Sequence, residues 1–243
     1  MPSYKRVLLK LSGEALASPD SSQNDAHGIS HLMLQKLTSD ILAVRELNIE
    51  VCLVVGGGNI YRGINGMAQH GINRCAGDYM GMLATVINGI AMQSTLENAG
   101  VKSRLMSAIP MPTICEPYIC HKAESHLKKG RVVIFVAGTG NPYFTTDTAA
   151  VLRASEMQCD LILKATKVKG VYCSDPKHNP EAEFLQQLTY QEVKQRKLKI
   201  MDSTAIALAH ENQIPIAVFS IYEQDGFKKV LQRSTEFTLI SNL

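Results

Sequence analysis

Three consecutive glycines, Gly56 to Gly58, follow an apolar run at residues 53–55 and precede Arg62. Glycine is costly to order, so three together need a reason. A glycine turn at the end of a strand lets the backbone approach a bulky anion and direct several N–H groups at it. Arginine adds a forked, permanently charged donor for phosphate oxygens. The pattern favours a phosphate site, although a tight turn beside a surface arginine has the same residues.

A second glycine turn carries side chains that a turn does not need. Residues 137–147 read AGTGNPYFTTD and follow another apolar run. Glycine and proline are sufficient to make a turn. Threonine, asparagine and aspartate side chains can also hydrogen-bond to hydroxyls and to the edges of a base. The second turn therefore favours a nucleotide over a free phosphate as the ligand.

Lys10 and Lys164 lie near the ends of two apolar runs. Each could extend its ammonium group to solvent or be held at the site to neutralise phosphate charge. The chain has neither a GxxxxGK[ST] motif nor a GxGxxG that opens a helix, so cations for phosphate must come from elsewhere. This favours a functional role for both lysines. Asp202 opens a predicted helix, where it could act as an N-cap, hold the two lysines, or do both.

The elements that position these residues alternate along the chain. Strands are predicted at 6–11, 50–55, 101–106, 131–138, 160–165, 214–220 and 237–240. Helices are predicted at 31–47, from about 80 to 98, at 119–129, at 147–157 with Asp147 as the cap, and at 202–212. Strands that are apolar on both faces and alternate with helices indicate a mostly parallel sheet covered on both sides. Ligands bind such sheets beyond the carboxyl ends of the strands, where both glycine turns and both lysines lie.

Composition narrows the class of protein. The chain has 243 residues, 45% hydrophobic and 19% charged, with a net charge of +3. No basic stripe supports a nucleic-acid partner, and the densest basic run, 194–199, is interpreted as a solvated helix end. The six cysteines show no CxxC or zinc-finger spacing, which favours a reducing compartment and no metal ligands. Lys10 interrupts the first apolar stretch, and no run suits a membrane span, so we expect a cytoplasmic protein without a membrane partner.

Eight segments carry a resemblance to a known family: LLKLSGEAL, VVGGGNIYRG, GDYMGMLATVINGIAM, RLMSAIP, AGTGNPYFTTDTAA, LKATKVKGVYCSDP, LTYQEV and KIMD. They occur in order across nearly the whole chain, which thereby resembles the uridylate kinase branch of the amino acid kinase family. The resemblance implies an α/β fold, a three-layer α/β/α sandwich, as a single domain over 1–243. It places the UMP site mainly in the N-terminal part and the ATP site mainly in the C-terminal part.

The resemblance also implies an activity in pyrimidine nucleotide biosynthesis. The γ-phosphoryl group of ATP would be transferred to UMP, giving UDP and ADP. Mg²⁺ would bridge the nucleotide phosphates, and the protein would usually form a homohexamer.

Site residues follow from the resemblance where the motifs match. Catalysis is assigned to Lys10, Lys164 and Asp202, with Asp202 orienting the two lysines. ATP binding is assigned to Lys10, Leu11, Ser12, Gly13, Gly58, Arg62, Thr166, Tyr172 and Asp175. UMP binding is assigned to Gly57, Arg62, Asp78, Thr139, Gly140, Asn141, Pro142, Tyr143, Phe144, Thr145 and Thr146. Asp78 is expected to accept hydrogen bonds from the ribose hydroxyls.

Two features depart from the family pattern. Lys169 stands where relatives usually carry aspartate, which reverses a charge near the expected ATP site. Residues 17–28 form a longer and more polar segment than the glycine-rich one associated with activation by GTP, so weak or absent activation is expected.

Two alternative functions are weighed. The first is a family member that phosphorylates a carboxylate, such as that of acetylglutamate. Such a substrate has no base that residues 137–147 could recognise. A non-catalytic UMP-binding regulator would not need the charge of both lysines and Asp202.

Overall fold

The computed structural model describes residues 4–17, 28–61, 71–176, 178–179 and 181–242. Within this part, apolar segments form a nine-stranded sheet with the order β4-β3-β5-β2-β1-β6-β10-β11-β9. Its strands are β1 (Arg6–Leu11), β2 (Glu50–Val55), β3 (Ser103–Ser107), β4 (Glu116–Pro117), β5 (Val132–Val136), β6 (Leu161–Thr166), β9 (Gln187–Leu188), β10 (Ile216–Ser220) and β11 (Thr238–Ile240). All neighbouring strands are parallel except β10 and β11. Strands β7 (Val171–Tyr172) and β8 (Phe184–Leu185) form a separate antiparallel pair.

Helices cover both faces of the sheet. They are α1 (His31–Arg45), α2 (Arg74–Asn98), α3 (Cys120–Lys128), α4 (Thr146–Glu156), α5 (Tyr190–Gln195), α6 (Ser203–Glu211) and α7 (Gly226–Leu231), with a 3₁₀ turn at Gly13–Leu16. In β1, Leu9 packs with the core formed by α1, α2 and α7, whereas Leu8 packs with the core formed by α3 to α6. The alternation follows from the period of two in a strand, which gives each face its own layer. The mostly parallel α/β/α sandwich predicted from the sequence is confirmed.

The register of the central strands determines where the predicted site residues meet. Strand β1 lies between β2 and β6, and Lys10 is the direct register partner of Lys164. Leu11 is the partner of Val55, the last residue before the three glycines. The ends of three adjacent strands therefore bring both lysines and the glycine turn to one edge of the sheet.

The predicted element boundaries need two corrections. Helix α2 begins at Arg74 rather than near Met80, because the side chain of Asn73 accepts a hydrogen bond from the N–H of Ala76 and caps the helix there. The cap of α4 is Thr145, whose side chain accepts a bond from the N–H of Asp147 at 3.0 Å. Asp147 is therefore inside the first turn and is not the cap.

The predicted long strands and helices are all present within a few residues. The short elements were not predicted: strands β4, β7, β8 and β9 and helices α5 and α7. Among the helices of the described residues, none is long and apolar enough to cross a membrane.

Candidate active site

Two buried lysines share one carboxylate at the carboxyl ends of β1 and β6. Lys10 Nζ lies 2.7 Å from Asp147 Oδ1, and Lys164 Nζ lies 2.8 and 2.9 Å from the two oxygens of the same carboxylate. Lys10 is 5% exposed and Lys164 is 9% exposed. Because the lysines are register partners, their side chains leave the sheet on the same face, and Asp147 in the first turn of α4 lies between the ammonium groups.

Burial and the neighbouring charges act in opposite directions on the pKa values of this cluster. Burial and the neighbouring Lys10 together lower the pKa of Lys164 to about 8, although Asp147 acts in the opposite direction. Burial disfavours the charged form of Asp147, but the two lysines outweigh it and hold the pKa of the carboxyl below its ordinary value. The cluster carries two cations for one anion, so it is suited to receive further negative charge.

The resemblance implies that Asp202 orients the two lysines; its charge favours the charged form of Lys164, and the orienting role stays a prediction. The Asp202 carboxylate accepts hydrogen bonds from the hydroxyls of Thr145 and Thr148, the latter at 3.0 Å, and caps α6 through the N–H of Ala205 at 2.8 Å. Within the described residues, neither lysine forms an ion pair with it. Asp202 ties α6 to the first turn of α4, the turn that carries Asp147.

Gly56 and Gly57 are needed because other segments leave no space for a Cβ atom at either position. A Cβ at Gly57 would lie 2.8 Å from both the Cβ of Ala84 and the carbonyl oxygen of Gly81 on α2. A Cβ on Gly56 would lie 2.8 Å from the backbone nitrogen of Gly13, in the turn after β1. The glycine turn is thus packed between helix α2 and the β1 turn, and its backbone is exposed to the cleft only on the remaining side.

Buried amides fix the end of the glycine turn. The side chains of Asn59 and Asn88 bond to each other at 3.1 and 2.7 Å, and Asn88 also donates to the carbonyl oxygen of Gly56 at 2.7 Å. Asn59 donates to the carbonyl oxygen of Gly28 at 2.8 Å. Each residue is at most 1% exposed. These contacts connect the glycine turn to α2 and to the segment before α1, and they were not anticipated from the sequence.

Helix α2 also holds the second glycine turn, residues 137–145. The hydroxyl of Thr85 accepts a bond from the N–H of Ala137 at 2.7 Å, where the backbone has a φ of 61°. Asp78 accepts a bond from the N–H of Tyr143 at 2.8 Å, where φ is 72°. Non-glycine residues with such φ values are strained and need support. One helix therefore positions both turns.

Several of the predicted UMP-binding residues line one cavity of about 530 Å³. Of the residues predicted to bind UMP, its wall contains Gly57, Asp78, Thr139, Phe144, Thr145 and Thr146; it also contains Gly58, which was predicted to bind ATP. The other members of the second turn, Gly140 to Tyr143, belong to the same loop. We call this space the smaller cavity. Its volume is in the range of small-molecule sites.

The residues predicted to bind the adenosine end of ATP lie at the end of β6 and beyond it. Thr166 ends β6, and its hydroxyl donates to the carbonyl oxygen of Val168 at 2.7 Å. Tyr172 packs edge-on against Phe184 with ring centroids 5.4 Å apart, and Asp175 lies 3.2 Å from a ring nitrogen of His178. Lys169, the departure from the family pattern, pairs with Glu236 at 3.0 Å on the surface.

A larger cavity, of about 1330 Å³, borders the lysine cluster, because Asp147 belongs to its wall. The rest of the wall is formed by α5, α6 and the segment between them. Of the basic run at 194–199, Lys194, Lys197 and Lys199 line its wall, so that run borders a cavity. Thr166, Tyr172 and Asp175 do not belong to this wall.

Two of the sequence expectations fall on residues outside the described part. Arg62 is one of them, and the polar segment 18–27 is the other. Their roles stay predictions.

Comparison with known proteins agrees with this geometry. The chain matches the model of the amino acid kinase family over residues 5–220. It is 52% identical to the uridylate kinase of Rickettsia felis over 98% of this chain and 96% of that protein, and 51% identical to that of Zymomonas mobilis over 99% and 97%. The crystal structure of UMP kinase from Ureaplasma parvum superposes with a TM-score of 0.91 at 37% identity, covering 98% of this chain and 99% of that one. For UMP kinase from Bacillus anthracis the TM-score is 0.92 at 38% identity, with 98% and 96% covered. The chain belongs to the amino acid kinase family.

Proposed function

We propose that this protein is a UMP kinase that transfers the γ-phosphoryl group of ATP to UMP. The observation that carries the proposal is the cluster of Lys10, Lys164 and Asp147 at the sheet edge where two glycine turns meet. Relatives about 52% identical over nearly the full chain are uridylate kinases. The residues of AGTGNPYFTTD, which suit recognition of a nucleotide, form part of the wall of the smaller cavity.

In the reaction, an oxygen of the UMP phosphate attacks the γ-phosphorus of ATP. The new P–O bond forms as the bond to the β–γ bridging oxygen breaks, and ADP leaves with that electron pair. The acceptor oxygen is already charged, so the protein mainly needs to align the two nucleotides and stabilise the charge that spreads over the transferring group. Lys10 and Lys164 supply that charge in a buried setting where it acts strongly.

The glycine turns bring backbone N–H groups close to the phosphates. At Gly13 and Gly57 a Cβ atom would clash with neighbouring segments of the protein, so glycine keeps the two turns packed together at this edge of the sheet. We assign the acceptor nucleotide to the smaller cavity, with Asp78 toward the ribose and Thr139, Asn141 and Thr146 toward uracil. Arg62 would hold the UMP phosphate. We assign the adenosine end of the donor to Thr166, Tyr172 and Asp175.

Mg²⁺ fits this site through the nucleotide and not through a protein cage. No group of three or more His, Cys, Asp or Glu side chains within the described residues is close enough to hold a metal. Mg²⁺ commonly keeps several waters and binds to substrate phosphates, so ATP would provide most of its ligands. Bound there, it would neutralise part of the phosphate charge.

A coupled assay of ADP release with UMP, CMP and acetylglutamate tests the proposal. We expect turnover with UMP and a strong preference for it over CMP, because polar groups arranged for uracil would be left unpaired against cytosine. Comparable kcat/KM values for UMP and CMP would contradict the assigned recognition. Turnover only with acetylglutamate would identify a carboxylate kinase, and binding of UMP without ADP release would identify a regulator.

We also propose that the protein forms a homohexamer. Helix α2 leaves one apolar stripe exposed, formed by Tyr79, Met80, Leu83, Ile87 and Ile90. An apolar stripe of this size on one helix is typical of an interaction surface. Light scattering after size-exclusion chromatography should give the mass of a hexamer, and Leu83→Glu should reduce it; a monomeric wild type contradicts the proposal.

Two further assignments complete the proposal. We treat residues 1–243 as one domain, since strands from both ends of the chain enter the same sheet. We place the protein in the cytoplasm, where all six cysteines would stay free as they are in the structure.

A further inference from the structure

Arg74, at the start of α2, contacts Asp78 on the same helix and Tyr143 in the second glycine turn. Its Nε lies 3.0 and 2.8 Å from the two oxygens of Asp78, one helical turn later. Its guanidinium carbon lies 5.4 Å from the centre of the Tyr143 ring. Asp78 in turn accepts a hydrogen bond from the N–H of Tyr143 at 2.8 Å. Arginine, aspartate and tyrosine therefore form a closed set of contacts, which we call the Arg74 latch.

Two members of the latch, Arg74 and Asp78, line the smaller cavity. The Asp78 side chain is only 15% exposed, whereas Arg74 is 39% exposed and Tyr143 lies at the surface. An ion pair four residues apart on a helix is ordinarily worth little to stability. Here the carboxylate also supports Tyr143 in a left-handed backbone conformation, at a position 65 residues away. Because this contact supports strained backbone beside the cavity, losing it should change how the cavity binds a nucleotide.

The geometry also limits how Asp78 can bind a nucleotide. Each of its oxygens already accepts a bond from the protein, Oδ1 from Arg74 and Oδ2 from Arg74 and Tyr143. An ionised carboxylate has about four acceptor positions, so some stay available for ribose hydroxyls. Their direction is fixed only while Arg74 holds the carboxylate plane. Without that restraint, the side chain could rotate and release both the ribose and the loop.

We propose that Arg74 is a positioning residue of the acceptor site: it orients Asp78 toward the ribose hydroxyls and holds the base-reading loop at Tyr143. This inference rests on the proposed UMP kinase function and extends it to selection of a ribonucleotide over a deoxyribonucleotide. Arg74 acts through Asp78 and needs no contact with the reacting atoms. Lysine in its place would keep the charge but lose the planar group that lies over the tyrosine ring.

Steady-state kinetics of Arg74→Gln and Arg74→Lys test the proposal. For Arg74→Gln we expect KM for UMP to rise about tenfold or more, the size of losing a charge-assisted hydrogen bond. We expect KM for ATP to change less than about twofold, since the latch does not touch the donor site, and the ratio of kcat/KM for UMP to that for dUMP to fall by a similar factor of about ten. Arg74→Lys should recover part of the UMP affinity and of the ratio.

The matched control is Arg196→Gln, which removes an arginine–carboxylate pair with the same spacing of four residues, Arg196 with Glu192 at 3.5 Å, at the end of α5 and outside both nucleotide sites. It should leave all these constants unchanged. The proposal is overturned if Arg74→Gln leaves KM for UMP and the UMP-to-dUMP ratio at wild-type values, or if KM for ATP rises equally. The wild type is assayed first, so absence of UMP phosphorylation would count against the proposed function and not against the latch.

Discussion

Replacing Asp147 with asparagine should destabilise the protein in a strongly pH-dependent manner. The substitution keeps the shape of the side chain but removes the only anion in ion-pair contact with Lys10 and Lys164 within the described residues. Breaking a buried ion pair by removing one partner costs about 3–5 kcal/mol. We expect a loss near 3 kcal/mol at pH 7, because the asparagine oxygen can still accept a bond from one of the two ammonium groups.

Deprotonation of Lys164 limits this cost. Its ordinary pKa is 10.5, so removing its proton at pH 7 costs about 5 kcal/mol, at 1.36 kcal/mol for each of the 3.5 pH units. At pH 9 the same step costs about 2 kcal/mol. The free-energy cost of burying Lys164 as an unpaired charge cannot exceed the cost of removing its proton. This upper limit falls as the pH rises.

In the wild type, the contribution of Lys164 to the free energy of unfolding also depends on pH. The folded-state pKa of Lys164 is lowered to about 8. Between about pH 8 and 10.5 the unfolded chain holds more of this proton than the folded one, so this group adds stability as the pH rises. Below about pH 8 the cost of keeping the buried lysine charged is fully present. In Asp147→Asn, with the attraction to the carboxylate gone, that pKa is lower still, so the gap between variant and wild type narrows toward pH 9.

Urea unfolding of both proteins at pH 7 and pH 9 measures the effect. We expect a loss of about 3 kcal/mol at pH 7 and of less than about 2 kcal/mol at pH 9. Glu236→Gln is the control, since it breaks a lysine–carboxylate pair of similar length, 3.0 Å, on the surface; it should show no resolvable change at either pH. Equal losses for Asp147→Asn at both pH values, or none, would refute the reasoning.

Three further predictions concern other parts of the site. Lys164→Ala should lower kcat by about 10²-fold while the dissociation constant of UMP, measured by calorimetry, changes far less, because the charge matters most in the transition state; near wild-type turnover would contradict this. Gly57→Ala should lower the free energy of unfolding by about 1–3 kcal/mol, since its Cβ would lie 2.8 Å from Ala84 and Gly81. Gly81→Ala, in mid-helix with open space around it, should raise the free energy of unfolding by about 0.5–1 kcal/mol. Equal shifts for the two variants in urea unfolding would count against the packing argument. Initial rates at fixed UMP and ATP should rise little or not at all with GTP, as the polar segment 17–28 predicts, and a several-fold rise would show that interpretation to be wrong.

The fold was predictable from the sequence because its signals are local. Apolar runs with turns at both ends identify the long strands, and the turns containing Gly56 and Gly138 identify the edge of the sheet that binds ligands. Short elements such as α5 and α7 span too few residues to show a period, so the pattern could not reveal them. The start of α2 could have been found, because Asn73 is a preferred capping residue placed before the helical run.

The partner of the two lysines could not be predicted in the same way. Asp147 and Asp202 both stand at the start of a helix, and either one could cap that helix or pair with a lysine. The choice depends on which helix begins beside the ends of β1 and β6, and this is set by the arrangement of elements distant in the sequence. One local signal was available: Thr145 also suits the capping position of α4, which leaves the Asp147 carboxylate free for another role.

The lysine cluster leads to a last prediction, about proton uptake on binding the donor nucleotide. Lys10 and Lys164 are direct register partners on neighbouring parallel strands, and like charges placed in this way repel each other. A single carboxylate does not balance them, and the pKa of Lys164 is lowered to about 8. A polyanion beside the two lysines favours their charged forms and should raise this pKa. At pH 8 about half of Lys164 is neutral in the free protein, so binding should take up about half a proton.

Calorimetric titration with ATP in two buffers that differ in ionisation enthalpy measures this number. Lys164→Met provides the control, because its uptake reports only the protons of ATP and of other groups. We expect the difference between wild type and variant to be about half a proton at pH 8 and to decrease at pH 7, where Lys164 is already charged. Identical uptake by the two proteins at pH 8 would show that ATP phosphates do not reach Lys164, and its assignment to the transferring group would then be wrong.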